Sequence, residues 1–159
     1  MAVGRGVSLK ARAIGLLSRR EYARGELRRR LESHCSEPEQ LEALLDELEQ
    51  GNLLSDKRYA ESMVNRRAVQ YGARRIAREL RKQGVPDETV SDALSHLEID
   101  EFDRARAVWR KRFGCPPSDA REYARQFRFL AARGFPSDAL RRILAELNAS
   151  LPDLPTDVD

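Results

Sequence analysis

The sequence predicts an all-α protein: three tandem three-helix repeats, helix-turn-helix-like in outline, forming an elongated curved rod. Three observations carry that expectation. Apolar residues recur at helical spacing along the chain, and no stretch alternates with the period of two that a half-buried strand requires. The composition is 35% charged and only 6% aromatic, a Leu/Ala/Arg/Glu-rich mixture that suits helices around thin cores. Finally, one pattern recurs: Leu80, Gly84, Val85 and Pro86 reappear 50 residues on as Leu130, Gly134, Phe135 and Pro136, and Tyr22, Leu27 and Leu31 match Tyr71, Ile76 and Leu80 at an offset of 49. A unit of about 50 residues buries little surface alone, so such units gain by stacking end to end into a rod with long faces for a partner.

Taken in order, residues 1–7 read as a flexible N-terminus. Ser8 opens a helix to about Ser18, with Leu9, Ala13, Leu16 and Leu17 on its apolar side. A second helix is predicted from Glu21 to His34, carrying Leu27 and Leu31. Ser36 and Glu39 have the spacing of a capping box, with Pro38 in the first turn, where its missing N–H does no harm. Leu41, Leu44, Leu45 and Leu48 then run to Gly51, expected to end the helix in the left-handed conformation that glycine adopts easily. This closes a first repeat, 8–51. In the second, 52–98, Ser55 or Asp56 caps a helix that Gly72 breaks, and the next ends at Gly84 before Pro86. A third covers Asp87–Leu97. The last repeat, 99–148, holds helices over Asp100–Phe113, Ser118–Arg133 and Pro136–Asn148, and 149–159 is an acidic, proline-punctuated tail expected to be disordered.

Charge comes in blocks. The chain has 159 residues and a net charge of +3. Residues 37–50 hold six acids and no base, 66–84 seven bases and one acid, 87–103 seven acids and no Lys or Arg, and 104–113 five bases and no acid. Such blocks either present basic patches to phosphate or an acidic partner, or neutralise one another between neighbouring helices. On the helix after Gly72, Ile76 and Leu80 point one way. Arg74, Arg78 and Arg81 point the other, with Arg75 and Lys82 at the edge. Arg28, Arg29 and Arg30 fan out by about 100° each and cannot all serve one ligand.

Little points to catalysis. His34 and His96 belong to no metal-spaced set, no phosphate-binding glycine loop is present, and Cys35 and Cys115 read as free thiols or small packing residues. No cofactor or metal is expected. No run of about 18 apolar residues suggests a membrane span, and no secretory signal is visible, so the cytoplasm is the expected compartment. Trp109, Phe113, Phe127, Phe129 and Phe135 are most simply core. Tyr59 and Tyr71, near Arg58, Arg66 and Arg67, either pack the repeat core or stack a base.

Three separated motifs carry a resemblance. Gly51-Asn52-Leu53-Leu54-Ser55-Asp56-Lys57-Arg58-Tyr59-Ala60-Glu61-Ser62, followed by Arg75-Ile76-Ala77-Arg78-Glu79-Leu80 and Gly84-Val85, resembles the central motif of the RecX family of bacterial recombination regulators. Arg20-Glu21-Tyr22 with Glu26-Leu27 resembles that family's first-repeat motif. Arg128 to Phe135, then Leu140-Arg141-Arg142-Ile143-Leu144, resembles its last. The match runs in order from about Ile14 to Leu147. Ala23 departs from it, standing where the family often has Ser, as does Ala132, where a base is common. The resemblance implies three tandem three-helix repeats, no enzyme activity of its own, and binding, as a monomer, to the RecA filament on single-stranded DNA. Recombinase, ATPase and co-protease activities would be suppressed. The basic surface expected to meet RecA or DNA is Arg58, Arg66, Arg67, Arg74, Arg75, Arg78, Arg81 and Lys82, with Arg141 and Arg142 as a second candidate. The rival expectation is a helical protein that acts directly on nucleic acid.

Overall fold

The computed structural model describes residues 6–149. Among them lie nine α-helices, one short 3-10 turn and no strand. The helices are α1 (Leu9–Leu17), α2 (Arg24–Leu31, continued by the 3-10 turn Glu32–His34), α3 (Pro38–Gln50), α4 (Asp56–Arg67), α5 (Ala73–Lys82), α6 (Asp87–Ser95), α7 (Glu101–Arg112), α8 (Ala120–Ala132) and α9 (Ser137–Ala149). The expectation of a disordered acidic tail lies outside the described residues, as does most of the expected flexible N-terminus.

The chain divides into two compact units. One comprises the residues through Val64 together with Ala77–His96; the other comprises Asn65–Ile76 together with the residues from Leu97 on. In the first, Ala13, Tyr22, Leu27, Leu31, Leu41, Leu44, Leu45, Leu48 and Leu54 form a buried cluster. In the second, Ala105, Trp109, Leu130, Phe135, Leu140, Ile143 and Leu144 do the same. These are the apolar stripes of their helices, turned inward because burying a Leu or Ile side chain is worth about 1.5–3 kcal/mol.

The repeated Leu-x-x-x-Gly pattern folds into a repeated turn. Gly84 and Gly134 both have φ +87°, the left-handed conformation. The N–H of the residue after each glycine reaches back to the buried leucine: Val85 to Leu80 O at 3.2 Å, and Phe135 to Leu130 O at 3.4 Å. Each turn abuts a glycine at the start of another helix. A Cβ on Gly25 would lie 2.5 Å from Gln83 O, and one on Gly72 would lie 2.3 Å from Gly134 O. Gly72 N–H also donates to Arg133 O at 2.8 Å.

Several helix ends differ from expectation. α2 begins at Arg24, three residues late, because Glu21 to Ala23 precede its first turn and Ala23 has no side-chain oxygen to cap with. The carboxylate of Asp56 substitutes, accepting from Arg24 N–H at 2.7 Å across 32 residues of sequence. Ser55, not Asp56, caps α4, accepting from Arg58 N–H at 3.2 Å. The capping box at Ser36 does not form, since the cap residue of α3 is Glu37, which places Pro38 first in the helix. Gly51 stays at φ −77°, and Asn52 takes the left-handed position at φ 60°. Leu53 N–H then closes on Leu48 O at 2.9 Å, one residue later than glycine would dictate. α4 stops at Arg67, well before Gly72, because Arg104 from α7 takes the carbonyls of Ala68 and Tyr71 at 3.1 and 3.0 Å. α8 begins at Ala120, where Asp119 caps the Glu122 N–H at 2.7 Å.

Candidate functional site

The charge blocks resolve differently once folded. The acidic face of α3 is answered from within its own unit. Arg24 spans Glu42, Asp46 and Glu49 at 2.7–2.9 Å, Arg28 takes Glu42 with two nitrogens, and Lys10 pairs with Glu47. Hydrogen bonds from Arg28 and then Arg24 hold the Glu42 carboxyl down to about 2, against an ordinary 4.5. Burial alone would lower Arg24, but its carboxylate partners outweigh that and raise it. Of the two readings of this block, mutual neutralisation is the one the structure bears out. The block at 87–103 is less engaged: Glu88, Glu98 and Asp103 are exposed with no cationic partner among the described residues.

Seven of the ten expected basic residues separate into three groups, and the other three stand individually. Arg58 is committed to the fold, with its three nitrogens on Glu21 Oε1, Asn52 Oδ1 and Asn52 O at 2.9 Å each. It clasps the loop whose left-handed residue is Asn52, so little of its donor capacity is left for a partner. Arg67 and Arg75 are brought together on one ring, their guanidinium carbons 5.1 and 4.1 Å from the centroid of Tyr71; Arg75 also donates to Ala132 O at 3.3 Å. The exposed group consists of Arg66 on α4, Arg74 and Arg78 on α5, and Arg141 on α9, none with a partner among the described residues. Arg74 and Arg78 share one side of α5 with Arg81, opposite the fully buried Ile76 and Leu80. Arg81 makes an exposed pair with Asp87 at 2.5 Å, and Lys82 is exposed beside Arg29, Arg30 and Glu26. Arg142 leans on Phe102 at 4.3 Å and pairs with Glu146 at 3.2 Å.

The consecutive arginines of α2 diverge as geometry requires: Arg28 to Glu42, Arg29 to Gln83, and Arg30 toward Tyr22. Tyr59 is buried, and Tyr71 is half-buried under arginines. Sequence reasoning missed Arg104, which is 8% exposed, with a side-chain Nε lacking any hydrogen-bond partner; burial lowers its pKa. It also missed the buried Gln126, which accepts from the Trp109 indole at 2.7 Å and donates to Cys115 O. Trp109 and Phe135 are core as expected, whereas Phe113, Phe127 and Phe129 are only partly buried. Among the described residues no group of His, Cys, Asp and Glu is arranged to hold a metal ion, and no helix is long and apolar enough to cross a membrane.

Nine helices among the described residues, paired glycine turns and a basic helix face invite comparison with known proteins. The family profile for the second three-helix domain of RecX matches residues 55–94, and that for the third matches 98–144, together more than half of the chain. This chain belongs to the RecX family. The regulatory protein RecX of Chromobacterium violaceum is 50% identical over 140 residues, 88% of this chain and 91% of its own. That of Leptothrix cholodnii is 49% identical over 138 residues, 87% and 88% of the two chains. That of Ralstonia nicotianae is 48% identical over 147 residues, 92% of each. The crystal structure of RecX from Lactobacillus salivarius superposes with a TM-score of 0.74 at 24% identity, covering 89% of this chain and 95% of its own. The RecX fold is therefore the all-α helical-repeat fold seen here, and this RecX-family chain is a regulatory protein by kinship.

Proposed function

We propose that this RecX-family chain is a cytoplasmic, non-enzymatic negative modulator of the RecA recombinase. It binds the RecA filament on single-stranded DNA and lowers ATP hydrolysis, strand exchange and co-protease activity, and through them homologous recombination and the SOS response. The observation that supports this most is the outer side of α5. Arg74 and Arg78 stand exposed without a described partner, backed by a fully buried stripe that fixes their direction. A filament groove offers both protein carboxylates and DNA phosphates, and guanidinium groups bind either in bidentate fashion. The exposed acids Glu88, Glu98 and Asp103 add surface that repels phosphate and suits basic protein side chains.

A second reading, direct action on nucleic acid, gains from the pairing within the first unit: the acidic face of α3 is spent on Arg24, Arg28 and Lys10 and no longer argues against phosphate. One titration separates the two. ATP hydrolysis by RecA on single-stranded DNA is followed as this protein is added, beside its binding to the same DNA without RecA. The filament reading requires inhibition well below the concentration that coats bare DNA, weakened by the triple replacement of Arg74, Arg78 and Arg81 with Ala. Inhibition that tracks bare-DNA binding and vanishes with excess DNA would establish a competitor for DNA instead.

A further inference from the structure

The second unit carries an alternation of cations and rings that extends beyond the basic surface above, which shares only Arg75 with it. Arg75 lies over Tyr71 at 4.1 Å, and Arg133 lies over Phe129 at 4.0 Å while reaching Tyr71 at 5.8 Å. Arg112 sits between the next two rings, 5.6 Å from Phe129 and 5.5 Å from Phe113. Phe113 and Phe129 meet edge to face at 5.1 Å. Arg125 covers Phe113 at 5.6 Å. The order Tyr71, Arg133, Phe129, Arg112, Phe113, Arg125 is thus continuous.

Its origin is local. Arg125, Phe129 and Arg133 are four residues apart on α8 and its cap, so they share a stripe. Arg112 and Phe113 end α7, and Tyr71 lies in the turn before α5. The three rings are only partly buried. Arg112 and Arg133 have no carboxylate partner among the described residues, and Arg125 has only Glu122 at 3.3 Å. A guanidinium laid on a ring keeps its outer face and its edge N–H groups available. The face stacks on another flat π system, and the edge takes a phosphate oxygen.

We propose that Tyr71, Phe129 and Phe113, with the guanidinium planes of Arg133 and Arg112 laid across them, form a stacking track for the unpaired bases of a single-stranded polynucleotide. Rings interleaved with cations are what sequence-tolerant single-strand binding uses: each base supplies a π face and each nucleotide a phosphate. A duplex keeps its bases within its own stack and offers only the phosphates. An acidic protein segment would use the guanidinium edges and leave the rings idle. The proposal rests on the DNA-contact part of the function proposed above. Its test contains no RecA, so a failure of stacking and a failure of filament inhibition are read separately.

The full chain is titrated onto an oligothymidylate, onto an abasic oligomer with the same number of phosphates, and onto a duplex of equal length. Expected is binding to the oligothymidylate at least about fivefold tighter than to the abasic oligomer, since one stacked base contributes about 1–3 kcal/mol. A 2-aminopurine placed in the strand should lose fluorescence on binding. The double variant Phe113→Leu/Phe129→Leu should remove that preference and leave the salt dependence unchanged, while Arg112→Ala/Arg133→Ala should flatten the salt slope by roughly 0.7 per lost phosphate contact. Equal affinity of the unaltered protein for the abasic and base-bearing oligomers overturns the proposal, and needs no variant to fold. So does equal affinity for the duplex, or competition by polyglutamate as effective as that by the oligothymidylate.

Discussion

α2 starts on a residue that cannot cap it, and that makes Asp56 the most informative single position for stability. Ala23 is fully buried with φ −72° and ψ 148°, the extended geometry of an N-cap, but its side chain makes no cap bond. Asp56 supplies the missing acceptor at 2.7 Å in a part-buried setting and, as the first residue of α4, also faces the positive end of its own helix. Replacing it with Ala removes a cap worth about 1–2 kcal/mol and a dipole interaction worth about 0.3–1 kcal/mol, so about 2 kcal/mol is expected. Asp56→Asn keeps an acceptor oxygen and loses only the charge; about 1 kcal/mol is expected there. The decisive variant is Ala23→Ser. Placed in an Asp56→Ala background it restores a local cap and should recover about 1 kcal/mol, whereas in the unaltered protein it is redundant and adds little. Urea unfolding followed by far-ultraviolet circular dichroism gives the four corners of this cycle. Amide exchange at Arg24 and Gly25 localises the effect, and Trp109, which lies in the other unit, serves as a control that should not respond below the main transition. No coupling between positions 23 and 56, or no faster exchange in the first turn of α2 in Asp56→Ala, would refute the idea that one helix is capped from another.

The remaining expectations are shorter. Gly72→Ala places a Cβ 2.3 Å from the Gly134 carbonyl oxygen and should cost about 3 kcal/mol or more, seen as loss of folded protein in thermal melts. Gly15→Ala, on exposed α1 with nothing within 4 Å, should stabilise by about 0.5–1 kcal/mol in the same assay. Glu42 titrates near 2 when folded and near 4.5 otherwise, so its contribution is complete above 4.5 and disappears as pH falls through 2. Its side chain is 43% exposed and therefore screened, so roughly 1 kcal/mol at most should separate the protein from Glu42→Gln at pH 6, and the two acid-unfolding curves should converge near pH 2. Arg104→Met strands the carbonyls of Ala68 and Tyr71 in a buried place, and about 2–3 kcal/mol should be lost, read by Trp109 fluorescence on denaturation.

What was legible in the sequence was whatever is written within one turn of helix. Ser8 caps α1 as read, and Gly84 and Gly134 end their helices as read, because the residues that decide those ends lie within five positions of one another. The inward faces were equally local: Ile76, Leu80, Leu130 and Leu144 are fully buried or nearly so because their periodicity leaves them no other direction. Misreadings gather where a distant group intervened. Glu21 to Ala23 look helical until one sees that the first N–H is claimed from position 56. The turn after Arg67 looks helical until Arg104 takes its carbonyls from 36 and 33 residues away. Gly51 held the left-handed position by propensity, yet Asn52 occupies it, because the Asn52 amide oxygen and carbonyl together receive Arg58. The basic residues divide along the same line. Arg58 sits in the most recognisable motif of the chain and its three guanidinium nitrogens are spent within the fold, whereas Arg112, outside every motif, has no carboxylate partner among the described residues. A motif conspicuous within a short stretch is often conspicuous because its residues serve one another, as Asn52, Ser55 and Arg58 do. The groups left free for a partner are those whose neighbours in sequence give them nothing to bind.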